Sequence, residues 1–297
     1  MTSILRSCFE TLHVLALGPM LYVTWFVPII NMAWTQQYQI RKLHPKLQPP
    51  IANHVPLWPG ASFRHGIWQV VTYGIPLFTL DFFLRKYYDG VDPEVWASQP
   101  YIGGLHLTRL LPDSAPTVRE VVGHTVGALV LYDAMFFMLH YVLHTFPAVY
   151  TLVHKYHHDH ESVSHHVTNQ LTPWERVFLI LTANFSLKLM RAHPLTRNVF
   201  THAFIWLLMD SHSGYDFPVW LDKAVPLVGG SISHYTHHVR HSVHFAPLFT
   251  WLDWLAGTQL DVSSKQALLE QHRSKAAPAL SGEQQAAAAA PRKSVHR

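Results

Sequence analysis

One cysteine, Cys8, is all that the 297 residues contain, which excludes an intrachain disulfide and any thiolate metal cluster. Charge is nearly as scarce. Asp, Glu, Lys and Arg make up 13% of the chain, about half the usual share for a soluble domain. The 22 basic residues barely exceed the 18 acidic ones, for a net charge of +4, too weak and too scattered for a nucleic-acid surface. A phosphate-cradling glycine loop is also missing. The pairs Gly103-Gly104 and Gly229-Gly230 lack the strand–turn–helix setting that a flavin or nicotinamide site needs.

What the chain has in excess is apolar surface and histidine: 49% of it is hydrophobic, and its 24 histidines outnumber either sign of charge. A chain of this kind is expected to have the lipid bilayer as part of its solvent. "VLALGPMLYVTWFVPIINMAW", Val14–Trp34, carries no charge over the length a helix needs to cross a hydrocarbon core. Pro19 and Pro28 inside it are tolerated in bilayers. No small-residue cleavage pattern follows, so the run reads as an anchor rather than a signal peptide.

Two further runs, Gly66–Leu84 with Asp81 and Val121–Leu139 with His124 and Asp133, hold ionisable groups that tend to face a protein interior. A fourth, Val177–Met209, is broken by "RAHPLTR" and reads as a hairpin or re-entrant pair. The loop with Arg41, Lys42, Lys46 and Arg64 has no acid and is expected in the cytosol. By parity the chain after Leu139 then starts on the cytosolic face. These readings predict an all-α, multi-pass membrane protein. Helices and loops fill 1–119, a cytosolic-facing histidine-rich domain fills 120–260, and the polar tail 261–297 is disordered.

The histidines fall into boxes. "HYVLH" places His140 and His144 four apart, on one face of a helix. "HKYHH" holds His154, His157 and His158; "HYTHH" repeats that spacing with His234, His237 and His238; "DSHSGYDFP" adds His212. A lone pair of histidines on a helix is more often a satisfied core feature. Nine in this order predict metal, because buried neutral imidazoles in such number are costly without a common partner. A structural zinc takes about four ligands, so nine fit two ions with positions left for dioxygen or water. Asp133, two turns before His140, and Asp210, beside His212, are candidate carboxylates to orient the rings. His160 follows an acid and fits no ligand spacing; His165 and His166 are expected at the surface or lining a pocket.

The ordered set of boxes, with "HPLT", "IWLLMDSHSGYDFP" and "FAPLFTWLDWLAGT", resembles the membrane fatty acid hydroxylase/sterol desaturase superfamily of di-iron oxygenases. The resemblance covers about residues 120–258 and is nearest the cholesterol-hydroxylating branch, with the C-4 methylsterol oxidases next. It implies a helical protein of the endoplasmic reticulum membrane with two irons per chain. It also implies dioxygen as co-substrate and electrons from NAD(P)H through cytochrome b5 or a reductase. Carried over, the ligands are His140, His144, His154, His157, His158, His212, His234, His237 and His238. Relatives often have Asp where this chain has Tyr235, and Asn where it has His244; His244 is thus either an extra ligand or, more in keeping with its place, a supporting or surface residue. Trp174-Glu175 matches a pair in the relatives and reads as structural. Two other readings stay open: a fatty acid or sphingolipid hydroxylase with the same iron chemistry, and, from another class, a histidine-rich metal transporter.

Overall fold

A computed structural model describes residues 41–43, 63–83, 86–88, 90–99, 101–102, 105–106, 108–112, 114–160, 163, 165–217, 220–272 and 274–275. The expected anchor Val14–Trp34 lies outside them. The architecture is mostly helical, with one correction to the all-α expectation. Three two-stranded pairs occur among the described residues. Arg41–Lys42 (β1) pairs antiparallel with Tyr215–Asp216 (β6), Lys86–Tyr88 (β2) parallel with Arg109–Leu111 (β5), and Tyr101–Ile102 (β3) antiparallel with Leu105–His106 (β4). Segments of two or three residues carry no periodicity long enough to be read from sequence.

The long helices start where capping chemistry places them. α1 is Phe63–Phe83, interrupted only by Pro76. α2 is Val118–Thr145. At its start the Thr117 hydroxyl accepts the Glu120 N–H at 3.2 Å and the Glu120 carboxylate accepts the Thr117 N–H at 2.8 Å, a reciprocal cap for two N–H groups that lack helical partners. α2 stops before Pro147, as a residue preceding proline disfavours helical geometry. α3 (Pro173–Leu189) is capped by Thr172 and α4 (Pro194–Ser211) by the His193 ring, each with proline at the first position, where its missing N–H costs nothing. The apolar run 177–209 is thus a helical hairpin turning at Arg191–His193, as its break predicts. α5 is Gly230–Val239 and α6 is Trp251–Ala256.

α2 packs against α3 and α4. Ala128, Leu129, Tyr132 and Phe136 of α2 meet Leu187, Ala192, Phe200 and Phe204, with Leu248 closing the cluster. Toward its N-terminal half α2 also exposes valines at four-residue intervals, Val118, Val122, Val126 and Val130. α1 exposes Trp68, Val71, Ile75, Phe78 and Phe82, alternately three and four residues apart. Contiguous apolar stripes of this kind mark surfaces that water does not cover. Among the described residues one helix, α2, is long and apolar enough to cross a membrane; the matching stretch of α1, Val71–Leu80, is shorter.

The first residues of the tail fall within the described part of the chain. Residues 262–272 are helical, started by Asp261, whose carboxylate accepts the Ser264 N–H at 2.8 Å and the Ser263 hydroxyl at 2.6 Å. Leu269 is buried with Leu43, Val163 and Tyr235. One buried leucine in a polar sequence is too faint an apolar pattern to announce a docked helix.

Candidate metal centre

Each box rides on a different piece of backbone. His140 and His144 sit on the last two turns of α2. Box two departs from a regular α-helix: Tyr150–His154 form a wide π turn and Lys155–His158 a tight 3-10 turn, a combination that often marks functional sites. His212 is the residue that ends α4. Two positions further Gly214 takes φ 76°, a left-handed conformation that glycine adopts without steric cost, and the chain turns into β6. α5 carries box three.

The structure brings all nine histidines together and divides them between two groups. His140, His144, His154, His158 and His237 form one, and His157, His212, His234 and His238 the other, with one ring nitrogen per residue in each group within 4.8 Å of all the rest. Each four-apart pair shares a group: 140/144, 154/158 and 234/238. The intermediate residues, His157 and His237, cross to the opposite one. That follows from helical rotation, since the residue three on from the first and that four on point about 100° apart.

Backbone carbonyls set the direction of the rings. Nδ1 of His140 lies 2.6 Å from the Phe245 carbonyl, Nδ1 of His237 2.8 Å from that of Val243, and Nδ1 of His212 2.7 Å from that of Leu208. A carbonyl only accepts, so each Nδ1 carries a proton and, in a neutral ring, each Nε2 presents a lone pair. Burial holds these rings neutral: it pushes His212 down to about 4 and places His154, His157, His234, His237 and His238 well below the ordinary histidine range. The Nε2 atoms then converge. His154 Nε2 stands 2.9 Å from His140 Nε2 and 3.0 Å from His158 Nε2; His212 Nε2 stands 2.8 Å from His234 Nε2 and 3.3 Å from His157 Nε2. The buried Nε2 atoms of His144 and His237 have no hydrogen-bond partner. Lone pairs at this spacing repel unless a cation sits between them, and ligands about 2.1 Å from one ion lie roughly 3 to 4 Å apart. The donor set fits metal ions.

Neither predicted supporting carboxylate reaches a ring. Asp133 Oδ1 accepts the N–H groups of Leu248 and Phe249 at 2.9 and 3.1 Å. Asp210 Oδ1 accepts the Trp220 indole N–H at 2.7 Å. Both are buried, but they hold loops: two free backbone N–H groups on one side and an indole on the other outcompete a ring whose Nδ1 already has a carbonyl. The carboxylate that does reach is Glu175, whose Oε1 is 2.6 Å from His154 Nδ1 with both side chains 1–2% exposed. Its reading as merely structural is therefore corrected. The available signal was Glu175 itself, an acid at the head of an apolar helix. Asp253, in "WLDWLAGT", accepts the Phe245 and Ala246 N–H groups at 2.8 and 3.0 Å and so fixes the loop whose carbonyl orients His140.

His244 belongs to neither group and is not at the surface. It is 1% exposed, its Nε2 accepts the Leu260 N–H at 3.1 Å, and its φ is 53°. Left-handed backbone favours glycine and asparagine, which gives a physical reason for Asn in relatives. Burial pushes its imidazole down to about 3. Between its unfolded value near 6.5 and about 3, the unfolded chain binds this proton and the folded chain does not, so stability falls as pH falls through that window. His244→Asn is expected to keep the fold and to shrink the loss of melting temperature between pH 7 and pH 5, measured against wild type. An unchanged loss would remove His244 from that account. Tyr235, the other departure, is buried, and its hydroxyl is 3.0 Å from His272 Nδ1, tying box three to the C-terminal helix. The side chains of His165 and His166 lie outside the described residues.

Gly230 opens α5 with φ 61°, and a Cβ there would meet Asp222 at 2.6 Å. Gly230→Ala is expected to cost about 1–3 kcal/mol from backbone strain alone, read as a lower melting temperature with partial metal loss from box three. An unaltered melt would show that α5 can start elsewhere.

Convergent neutral imidazoles on a helical scaffold define a histidine-rich metal protein. Residues 125–258 match the family model described as Fatty acid hydroxylase. Cholesterol 25-hydroxylase of Homo sapiens is 29% identical over 243 residues, covering 80% of this chain and 79% of that protein. A cholesterol 25-hydroxylase-like protein 1, member 2, of Danio rerio is 33% identical over 153 residues, 51% of this chain and 55% of its own. The very-long-chain aldehyde decarbonylase GL1-8 of Oryza sativa subsp. indica is 31% identical over 175 residues, 58% of this chain and 63% of its own. No solved structure matches. Over residues 125–258 the chain is similar to the fatty acid hydroxylase family.

Proposed function

We propose that the protein is a membrane-bound di-iron monooxygenase that hydroxylates a sterol, in the manner the names of its cholesterol 25-hydroxylase relatives suggest. The observation that carries this reading is the convergence of the Nε2 lone pairs into two groups. Five histidines (140, 144, 154, 158 and 237) would hold one iron and four (157, 212, 234 and 238) the other. Nitrogen-only donor sets suit iron among other metals, and the family match supports iron. Bound iron supplies the activation of dioxygen that no side chain can perform; the cofactor carries the hard step and the fold positions the substrate.

The chain's own part is orientation and exclusion. The carbonyls of Phe245, Val243 and Leu208 hold three rings in the ligating tautomer, and Glu175 takes the Nδ1–H of His154 once Nε2 is coordinated. Phe245 and Phe136 pack beside His140 and keep bulk water off that edge. The exposed apolar stripes of α1 and α2, with Trp254 and Leu255 projecting from α6, suit a bilayer and its interface, from which a sterol could enter without leaving lipid. The proposed location is the endoplasmic reticulum membrane. The absence of a flavin or nicotinamide loop from the sequence supports an external electron donor, cytochrome b5 or a reductase.

Expression in sterol-defined microsomes with a reductase system, followed by mass spectrometry, is expected to show a sterol gaining one oxygen. Fatty acids or sphingolipids gaining the oxygen would move the substrate class. Exchangeable zinc carried across vesicles with no oxidised lipid would favour the transporter; against it stands a site built from rings locked by carbonyls rather than poised to release an ion.

A further inference from the structure

The outer nitrogens of His140, His237 and His212 turn to backbone carbonyls that no substitution removes. Two other rings turn theirs to a side chain from a distant segment, one in each group: His154 to Glu175 and His238 to His160, whereas the Ser211 hydroxyl, 3.2 Å from His212 Nδ1, is its chain neighbour. His160 Nε2 lies 2.9 Å from His238 Nδ1, the two ring centroids 4.9 Å apart. Meanwhile His238 Nε2 faces the four-histidine group, 3.1 Å from His234 Nε2. A neutral ring that offers Nε2 to an ion carries its proton on Nδ1, so His238 donates and His160 accepts.

His160 is held in place for this. The chain around it is turned by Asp159 N–H donating to the Tyr156 carbonyl at 3.3 Å and His160 N–H to the His158 carbonyl at 3.1 Å. The Gln170 side-chain amide then donates to the Tyr156 and Asp159 carbonyls at 2.8 and 2.6 Å, clamping the loop from below. A residue whose spacing excludes it from the ligand set is thereby placed behind a ligand.

We propose that His160 is a positioning residue that fixes the tautomer and orientation of His238 and so secures the metal ion of the four-histidine group. This rests on the di-iron reading above. The two groups then differ in support: the five-ligand group is backed by a carboxylate, and the four-ligand group by a neutral imidazole, the weaker acceptor. The ion of the second group is the one that leaves first.

The test uses the full chain, iron-loaded in detergent, as wild type, His160→Leu and His160→Gln. Glutamine carries a carbonyl oxygen to about where Nε2 stands; leucine fills space and accepts nothing. Iron per chain is measured during titration with a chelator, and the melting temperature of the metal-free protein reports on folding. His160→Leu is expected to surrender one of two irons at roughly 10- to 100-fold lower chelator concentration, with the metal-free melt unchanged. His160→Gln is expected to stay close to wild type. Two results overturn the inference: His160→Leu holding both irons as tightly as wild type, or His160→Gln losing iron as readily as His160→Leu, which would make the ring a packing element. Wild type that takes up no iron would instead overturn the di-iron reading, an outcome recognisable before any variant is compared.

Discussion

His157→Ala is expected to abolish product formation and to lower iron retention by more than about 100-fold, beyond the range typical for loss of a supporting partner. The size follows from the partition of the rings. His157 is the one residue of its box that serves the four-histidine group, so no neighbour substitutes for it. Its Nε2 is 3.3 Å from that of His212, and its removal leaves three rings facing a gap. His158, next in sequence, points to the other group and cannot swing across. Product at the wild-type level would defeat the assignment of box two. A matched loss of activity with full iron retention would make His157 part of the substrate path instead.

The second large effect is expected at Glu175. Glu175→Leu removes the acceptor of a buried ring N–H, and iron affinity of the five-histidine group should fall by about 10- to 100-fold. Glu175→Gln keeps an oxygen in place and should fall less. The ordering Glu, Gln, Leu in chelator resistance is the signature of an orienting hydrogen bond. Burial pushes the Glu175 carboxyl up and the Arg176 guanidinium pulls it back; a cation held beyond His154 would favour the carboxylate, the stronger acceptor for this ring N–H. Equal behaviour of the three proteins would reduce Glu175 to packing.

How much of this was legible in the sequence differs by residue. The nine histidines were readable because metal ligation demands one side-chain type at helical spacing, and four-apart pairs survive even the irregular turns of box two. Their division into five and four was in principle readable from the same rotation. The supporting carboxylates were not. Asp133 and Asp210 have the right distance along the chain, but whether an acid meets a ring or a loop N–H depends on which segment packs opposite, and "FAPLF" lies 115 residues from Asp133. His244 and His160 were obscured for the same reason: one is defined by a left-handed turn and a distant N–H, the other by a ring 78 residues away. The long helices followed from apolar runs; the paired strands and the helix at 262–272 were too short or too polar to announce themselves.

Three consecutive residues at the head of α3 point in three directions. Trp174 is 60% exposed, Glu175 holds His154, and Arg176 reaches into α1. The Arg176 guanidinium donates to the Thr72 hydroxyl at 2.5 Å and to the Asn169 carbonyl at 2.8 Å, and lies over the Tyr73 ring at 4.8 Å. A buried cation does not give up such partners cheaply. α1 and His154 are therefore joined through two adjacent residues of one rigid helical turn, like two arms on a common axle. A tilt or slide of α1 would therefore be carried through that turn to the imidazole of His154 as torque.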